Sequence, residues 1–172
     1  NKHQTLSLNL VLKIGIQIIL LLENIHGMGL IHRDVKPDNF LFGRNNDKNR
    51  IHIIDFGFCK SYLIDGRHIP ERKTHGMIGS LTYASLNTHS LTELSRRDDL
   101  ESLGYMMSNL YLGKLPWHDI TAGEVANAKR LLVTNDQVPR VIVNFLTYTR
   151  NLKFEETPEY AQIIKSFTSE IV

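Results

Sequence analysis

His32-Arg33-Asp34-Val35-Lys36-Pro37-Asp38-Asn39 is the stretch on which the reading of this chain turns. Within eight residues it sets a carboxylate at Asp34, an ammonium two positions on at Lys36, and an amide at Asn39. Pro37 keeps the segment from becoming regular helix. Ile51, Ile53 and Ile54 form a short β-branched run, and Asp55-Phe56-Gly57 follows it directly. Phe40–Phe42 is a second extended piece. The two runs are expected to pair as a small hairpin across the polar turn Arg44–Arg50. Such a hairpin would bring Asn39 and Asp55 together although they are distant in sequence. An amide oxygen and a carboxylate are hard ligands suited to Mg²⁺. Gly57 is expected to permit the turn that Asp55 needs to face the metal.

Around this loop the chain reads as helix. Leu10, Val11, Ile14, Ile18, Leu21, Leu22 and Ile25 recur at helical spacing, which predicts a long, largely buried helix from about Ser7 to His26, ended by Gly27 and Gly29. Its unbroken apolar core, Ile18–Leu22, is far shorter than the roughly 20 residues of a membrane helix. From Asp55 to His89 there is no sustained period, and so long an irregular segment inside a compact domain is usually functional or mobile. Helical order is expected again from Asp99, with Leu100, Leu103, Gly104, Met107, Leu110 and Tyr111 on one stripe, stopped by Gly113 and Pro116. Further helices are expected at about Ala122–Val133, Arg140–Arg150 and Pro158–Phe167. The fold class is therefore mainly α, a helical bundle with one small β-hairpin that carries the loop.

Composition excludes several classes. The 172 residues hold 20 Lys+Arg against 18 Asp+Glu, a net charge of +2, with 42% hydrophobic and 22% charged residues. Disorder and collagen-like repeats do not fit these fractions. So small a net charge gives no general case for nucleic-acid binding. The single cysteine, Cys59, cannot form an internal disulfide and has no partner at zinc spacing. Trp117 after Pro116 is expected in packing rather than recognition.

His32–Asn39 followed by a strand and Asp55–Gly57 has the pattern of a protein-kinase catalytic loop and metal-binding motif, with Val35 a conservative departure from the usual leucine. The chemistry suits the spacing. Phosphoryl transfer needs an oriented nucleophile and neutralised phosphate charge. Asp34 can orient a substrate hydroxyl and accept its proton, and Lys36 can neutralise charge on the transferred group. A lysine two after the aspartate points to serine/threonine rather than tyrosine kinases. His32 has a structural role in the motif.

The resemblance then narrows. Tyr83-Ala84-Ser85-Leu86-Asn87-Thr88-His89, Ser95-Arg96-Arg97-Asp98-Asp99-Leu100-Glu101-Ser102-Leu103-Gly104-Tyr105, Leu115-Pro116-Trp117, Arg150-Asn151-Leu152-Lys153-Phe154 and Pro158-Glu159-Tyr160 form a series that resembles the casein kinase 1 family over nearly the whole chain. Ser85-Leu86-Asn87 in place of Ala-Pro-Glu is itself a mark of that family. The resemblance implies a protein-kinase-like C-lobe, ATP and Mg²⁺ as cofactors, and Asp34 and Lys36 as catalytic residues. It implies Asn39 and Asp55 as metal ligands, which with Lys36 also hold the nucleotide, and His32, Arg33, Gly57 and Asp99 as supports of the site. Asp99 would accept hydrogen bonds from the catalytic-loop backbone, which suits a carboxylate at a helix N-terminus. Asp98 could equally cap that helix.

Protein substrates would be acidic or already phosphorylated. Arg67, Arg72 and Lys73, with His68 and His75 beside them, are the candidate anion contacts. Thr82 departs from the arginine that relatives usually carry before the tyrosine, so a main anion contact is missing. No nucleic-acid or membrane partner is expected, and the expected location is intracellular, cytoplasm or nucleus. Only 31 residues precede His32, and they contain neither a glycine-rich loop nor a strand lysine. The expectation is thus a C-lobe alone, residues 1–172, inactive in isolation and part of an active kinase. The alternative is a non-catalytic truncated lobe acting as a protein-binding module or decoy.

Overall fold

A computed structural model describes residues 5–172. It is about 49% helical with few short strands. Helix α1, Leu8–Gly27, starts where Ser7 leaves the helical backbone and accepts a hydrogen bond from the Leu10 amide at 3.4 Å. It runs through Gly27. The left-handed residue beyond its end is Gly29, at φ +77°. α1 spans 20 residues and its most apolar 18-residue window has a mean hydropathy of 1.7, long and apolar enough to cross a membrane by length and composition only, a test that a buried core helix also passes. Here Val11, Leu12, Ile18, Ile19 and Leu22 are fully buried, and α1 packs against α3 (Arg96–Leu112) and α6 (Tyr160–Ser169).

The expected hairpin is present. β2, Phe40–Phe42, pairs antiparallel with β3, Ile51–Ile53, in the register Phe40↔Ile53 and Phe42↔Ile51. β1, Leu30–Ile31, pairs with β4, Lys60–Ser61. β5, Leu63–Ile64, and β6, Arg67–His68, form a second small hairpin. The stretch without period thus contains three two-residue strands and one helical turn, α2, Leu86–His89. Residues 72–74 run antiparallel to 91–93: the Glu93 amide donates to the Arg72 carbonyl at 2.8 Å and the Thr74 amide to the Leu91 carbonyl at 2.8 Å.

α3 begins at Arg96, three residues before the expected start. Arg96 and Arg97 carry no apolar period, and the signal that does start the helix is the Asp98 carboxylate, which accepts the Ser95 amide at 2.8 Å. Gly113, at φ +78°, ends it. α4 (Ala122–Leu131), α5 (Arg140–Asn151) and α6 follow close to expectation. One main core joins α1, α3, α5 and α6. A smaller one, Ile31, Tyr62, Ile69, Leu94 and Phe154, lies under the strands. Between them they hold the loop 32–39 against the start of α3.

Candidate active site

Asp34 is the most constrained carboxylate on this face. Its side chain is 2% exposed, and Oδ2 lies 2.8 Å from Lys36 Nζ. Asn39 Nδ2 donates to the same oxygen at 3.2 Å and to the Asp34 backbone carbonyl at 2.8 Å. Oδ1 accepts the Ser80 amide at 3.0 Å. Three donors from two segments therefore fix the carboxylate's orientation. The hydrogen bond to Asp34 raises the Lys36 pKa and keeps the ammonium charged.

The backbone beneath is held by Asp99. Its Oδ2 accepts the His32 amide at 2.8 Å and its Oδ1 the Arg33 amide at 2.8 Å. Two consecutive amides can converge on one carboxylate because Arg33 adopts φ +68°, a conformation costing about 1–3 kcal/mol in a non-glycine residue and characteristic of functional loops. His26 Nε2 sits 2.9 Å from Asp99 Oδ2, and its Nδ1 lies 2.6 Å from the Tyr160 hydroxyl. Burial works against the charged form of Asp99, but the His26 contact and the two amides outweigh it and hold its pKa below the ordinary value. Asp98 faces the other way and accepts from Ser85 Oγ at 2.6 Å and Asn87 Nδ2 at 2.9 Å. Both adjacent aspartates are thus used, one for the loop and one for the helix start.

The hairpin register brings Asn39 and Asp55 close, since the Ile54 amide donates to the Asn39 carbonyl at 2.9 Å. Here one sequence expectation is corrected. The unusual backbone belongs to Asp55 itself, at φ +59°, and Gly57 is not left-handed. Gly57 contributes its amide, which donates to Asp55 Oδ1 at 3.1 Å, and its lack of a side chain, since a Cβ there would lie 3.1 Å from that oxygen. His32 accepts the Asp34 amide on Nδ1 at 3.3 Å and meets Phe56 edge-on, ring centroids 5.6 Å apart. Arg33 Nε donates to the Phe58 carbonyl at 2.6 Å, joining the two motifs from behind.

Arg67, Arg72, Lys73 and His75 of the basic run are exposed and His68 is half-buried, but two of the cations are also engaged within the protein. Arg67 is exposed in β6. Arg72 and Lys60 both bind the buried Glu93 carboxylate, at 3.1 and 2.8 Å, and Lys73 Nζ donates to the Ser90 carbonyl at 3.0 Å. Trp117 is buried, and its Nε1 donates to the Thr82 carbonyl at 2.8 Å.

Residues 79 and 80 were not singled out from sequence. Gly79 stands at φ +85°, and a Cβ there would lie 2.5 Å from the Arg33 carbonyl and 3.4 Å from Asp34 Oδ1. Only glycine lets this segment approach the loop closely enough for the Ser80 bond. Ser80 leads into the Thr82–Ser85 motif through a turn in which its carbonyl accepts the Tyr83 and Ala84 amides, a geometry that no residue pattern in the motif announces.

Chemically, the arrangement offers a fixed carboxylate to orient and deprotonate a hydroxyl, and an ammonium beside it for an anion. With Asn39 Nδ2 committed to Asp34, its Oδ1 is left as a candidate ligand oxygen, and the exposed Asp55 carboxylate is a second one. These donors fit a hard divalent cation that bridges phosphates. The family model described as protein kinase domain matches residues 1–172. With the catalytic-loop geometry, the hairpin and the helical body agreeing with that match, the chain belongs to the protein kinase family.

Proposed function

We propose that this chain carries the catalytic loop of a serine/threonine protein kinase of the casein kinase 1 type, acting on acidic or already phosphorylated protein segments. The observation that carries the reading is the buried Asp34 carboxylate, held by Lys36, Asn39 and the Ser80 amide. Lys36 supports the serine/threonine assignment. Ser85-Leu86-Asn87 supports the narrower one: its side chains bind Asp98, and the Leu86 amide donates to Glu101 Oε1 at 3.3 Å, the oxygen that also meets Arg150 Nε at 3.3 Å. A family-specific tripeptide is thus wired into α3 and α5.

In this reading Asp34 orients the acceptor hydroxyl and takes its proton as the oxygen attacks. Lys36 neutralises charge on the transferred phosphoryl group while staying bound to Asp34. Asn39 Oδ1 and the Asp55 carboxylate would hold Mg²⁺, which supplies charge neutralisation and orientation for the phosphates of ATP. Asp99 and His26 keep the loop backbone from moving during transfer. Arg67, Arg72 and Lys73 are the groups on this face able to meet an acidic segment, with Arg72 shared with Glu93.

The test is made on the natural full-length protein. Asp34→Asn keeps the size of the side chain but turns one accepting oxygen into a donor and removes the proton acceptor, and phosphate transfer from ATP to an acidic serine peptide is expected to fall on the order of 10²–10⁴-fold. A variant within threefold of the parent refutes the role of Asp34. Phosphotyrosine in the product refutes the serine/threonine assignment.

A further inference from the structure

Lys129, in the last turn of helix α4, is fully buried. Its Nζ lies 2.8 Å from the Leu81 carbonyl, 2.5 Å from the Ala84 carbonyl and 3.1 Å from His89 Nε2. The Tyr105 and Trp117 rings wall it in, at 4.9 and 5.5 Å from their centroids. Burying an amine is costly unless its hydrogen bonds are made, and here three partners meet three bonding directions. The two carbonyls bracket the turn Ser80–Ala84, which closes on itself through Tyr83 and Ala84 amides donating to the Ser80 carbonyl at 3.0 and 2.8 Å. The Ser80 amide at the head of that turn is the one that holds Asp34 Oδ1.

We propose that Lys129 is a positioning residue for phosphoryl transfer: from α4 it ties down the Ser80–Ala84 turn, and through the Ser80 amide it fixes the Asp34 carboxylate at the place where the acceptor hydroxyl arrives. The role rests on the kinase reading given above. Trp117 Nε1, donating to the Thr82 carbonyl, is a second tie on the same turn from another element. All three carbonyls pinned, 81, 82 and 84, lie within four residues of the Ser80 amide that holds Asp34.

The protonation state does not break the arrangement. As an ammonium, Lys129 donates to both carbonyls and to a His89 ring nitrogen. As a neutral amine, it donates to both carbonyls and accepts from the other tautomer of the same ring. Burial lowers the Lys129 pKa to about 7, opposed by Glu101 and reinforced by Arg150, and burial with Lys129 and Arg130 lowers that of His89 to about 4. The histidine is thus neutral near pH 7 and can play either part.

Lys129→Met keeps the aliphatic stem and removes all three bonds. Val125→Ala, on the same helix and also buried, is the control for loss of packing without loss of a hydrogen bond to the turn. In the full natural protein, Lys129→Met is expected to lower kcat for peptide phosphorylation by roughly 10–100-fold, the scale of a small misplacement of a reacting group, with KM for ATP within twofold of the parent. Val125→Ala is expected to keep kcat within about twofold. Amide exchange gives a readout independent of activity: Ser80, Tyr83 and Ala84 should exchange at least ~10-fold faster in Lys129→Met and not in Val125→Ala. Lys129→Gln, which keeps one donor, should lie between parent and Met, and it carries the test if the Met variant does not fold. Parent-like kcat and parent-like exchange at residues 80–84 in a folded Met or Gln variant overturn the proposal. A parent protein that phosphorylates no acceptor refutes the kinase reading instead, while the exchange data still report whether Lys129 holds the turn.

Discussion

Asp34 owes its orientation to a residue with no side chain. Gly79 passes over the catalytic loop so closely that any Cβ would strike the Arg33 carbonyl, and its φ of +85° disfavours every L residue with one. Gly79→Ala should therefore push the Ser80 amide off Asp34 while touching neither Asn39, Asp55 nor the hairpin. The expected result is a kcat at least ~10-fold lower in the full-length protein, with a Tm loss of only a few degrees. Steady-state kinetics beside calorimetry decide it. Parent kinetics in Gly79→Ala would mean the close approach is incidental.

At the scale of elements, α3 packs between α1 and α5, and its most extensive contact is with α5. Gly104 makes that contact possible: a Cβ there would lie 2.4 Å from Leu146 Cδ2 and 2.8 Å from its Cγ. Alanine gains up to about 1 kcal/mol in helix propensity over glycine, but overpacking a close-packed core costs about 1–3 kcal/mol. Gly104→Ala should lower Tm by a few degrees. Gly104→Ala with Leu146→Val should recover part of the loss, and thermal denaturation of the two variants checks both statements. The helices themselves were legible in the apolar period, because a one-sided stripe is a local property. The start of α3 was not, because two arginines occupy its first turn and their guanidiniums are spent on the Glu155 and Leu152 carbonyls, contacts made 59 and 55 residues away.

For the whole molecule the same contrast holds in the site. Asp34, Lys36, Asn39 and Asp55 could be found because a fixed short spacing and a hairpin join them. His26, Ser80 and Lys129 could not, because their bonds to Asp99, Asp34 and Ala84 span 73, 46 and 45 residues and leave no period behind. These long-range groups also set the response to pH. Lys129 has a depressed folded pKa, about 7 against 10.5. The unfolded chain then binds more protons between those values, so stability should rise as pH is raised from about 7 to 8.5, by no more than about 1.4 kcal/mol per unit for one proton. Lys129→Met should lose that slope. In acid, His89, depressed to about 4, removes stability as pH falls through its folded value. Asp98, raised to about 6, contributes stability that is present in acid and lost as pH rises through 6, so the two oppose each other. Urea unfolding of parent and variant across pH 4–8.5 measures these effects. A parent whose stability stays flat from 7 to 8.5 contradicts the assignment for Lys129.

Adjacent aspartates at the head of α3 divide their work by direction: Asp98 holds the Ser85–Asn87 segment and Asp99 the catalytic loop. On an α-helix each residue turns the side chain by about 100°. One residue inserted or deleted between Ser95 and Asp99 would rotate at least one carboxylate away from its segment, whatever residue was added. The turn at 44–50, whose length sets no such angle, imposes no comparable penalty. Length variation over evolutionary time should therefore be frequent in the turn 44–50 and absent at the helix head, a pattern that an insertion library selected for folding would reproduce.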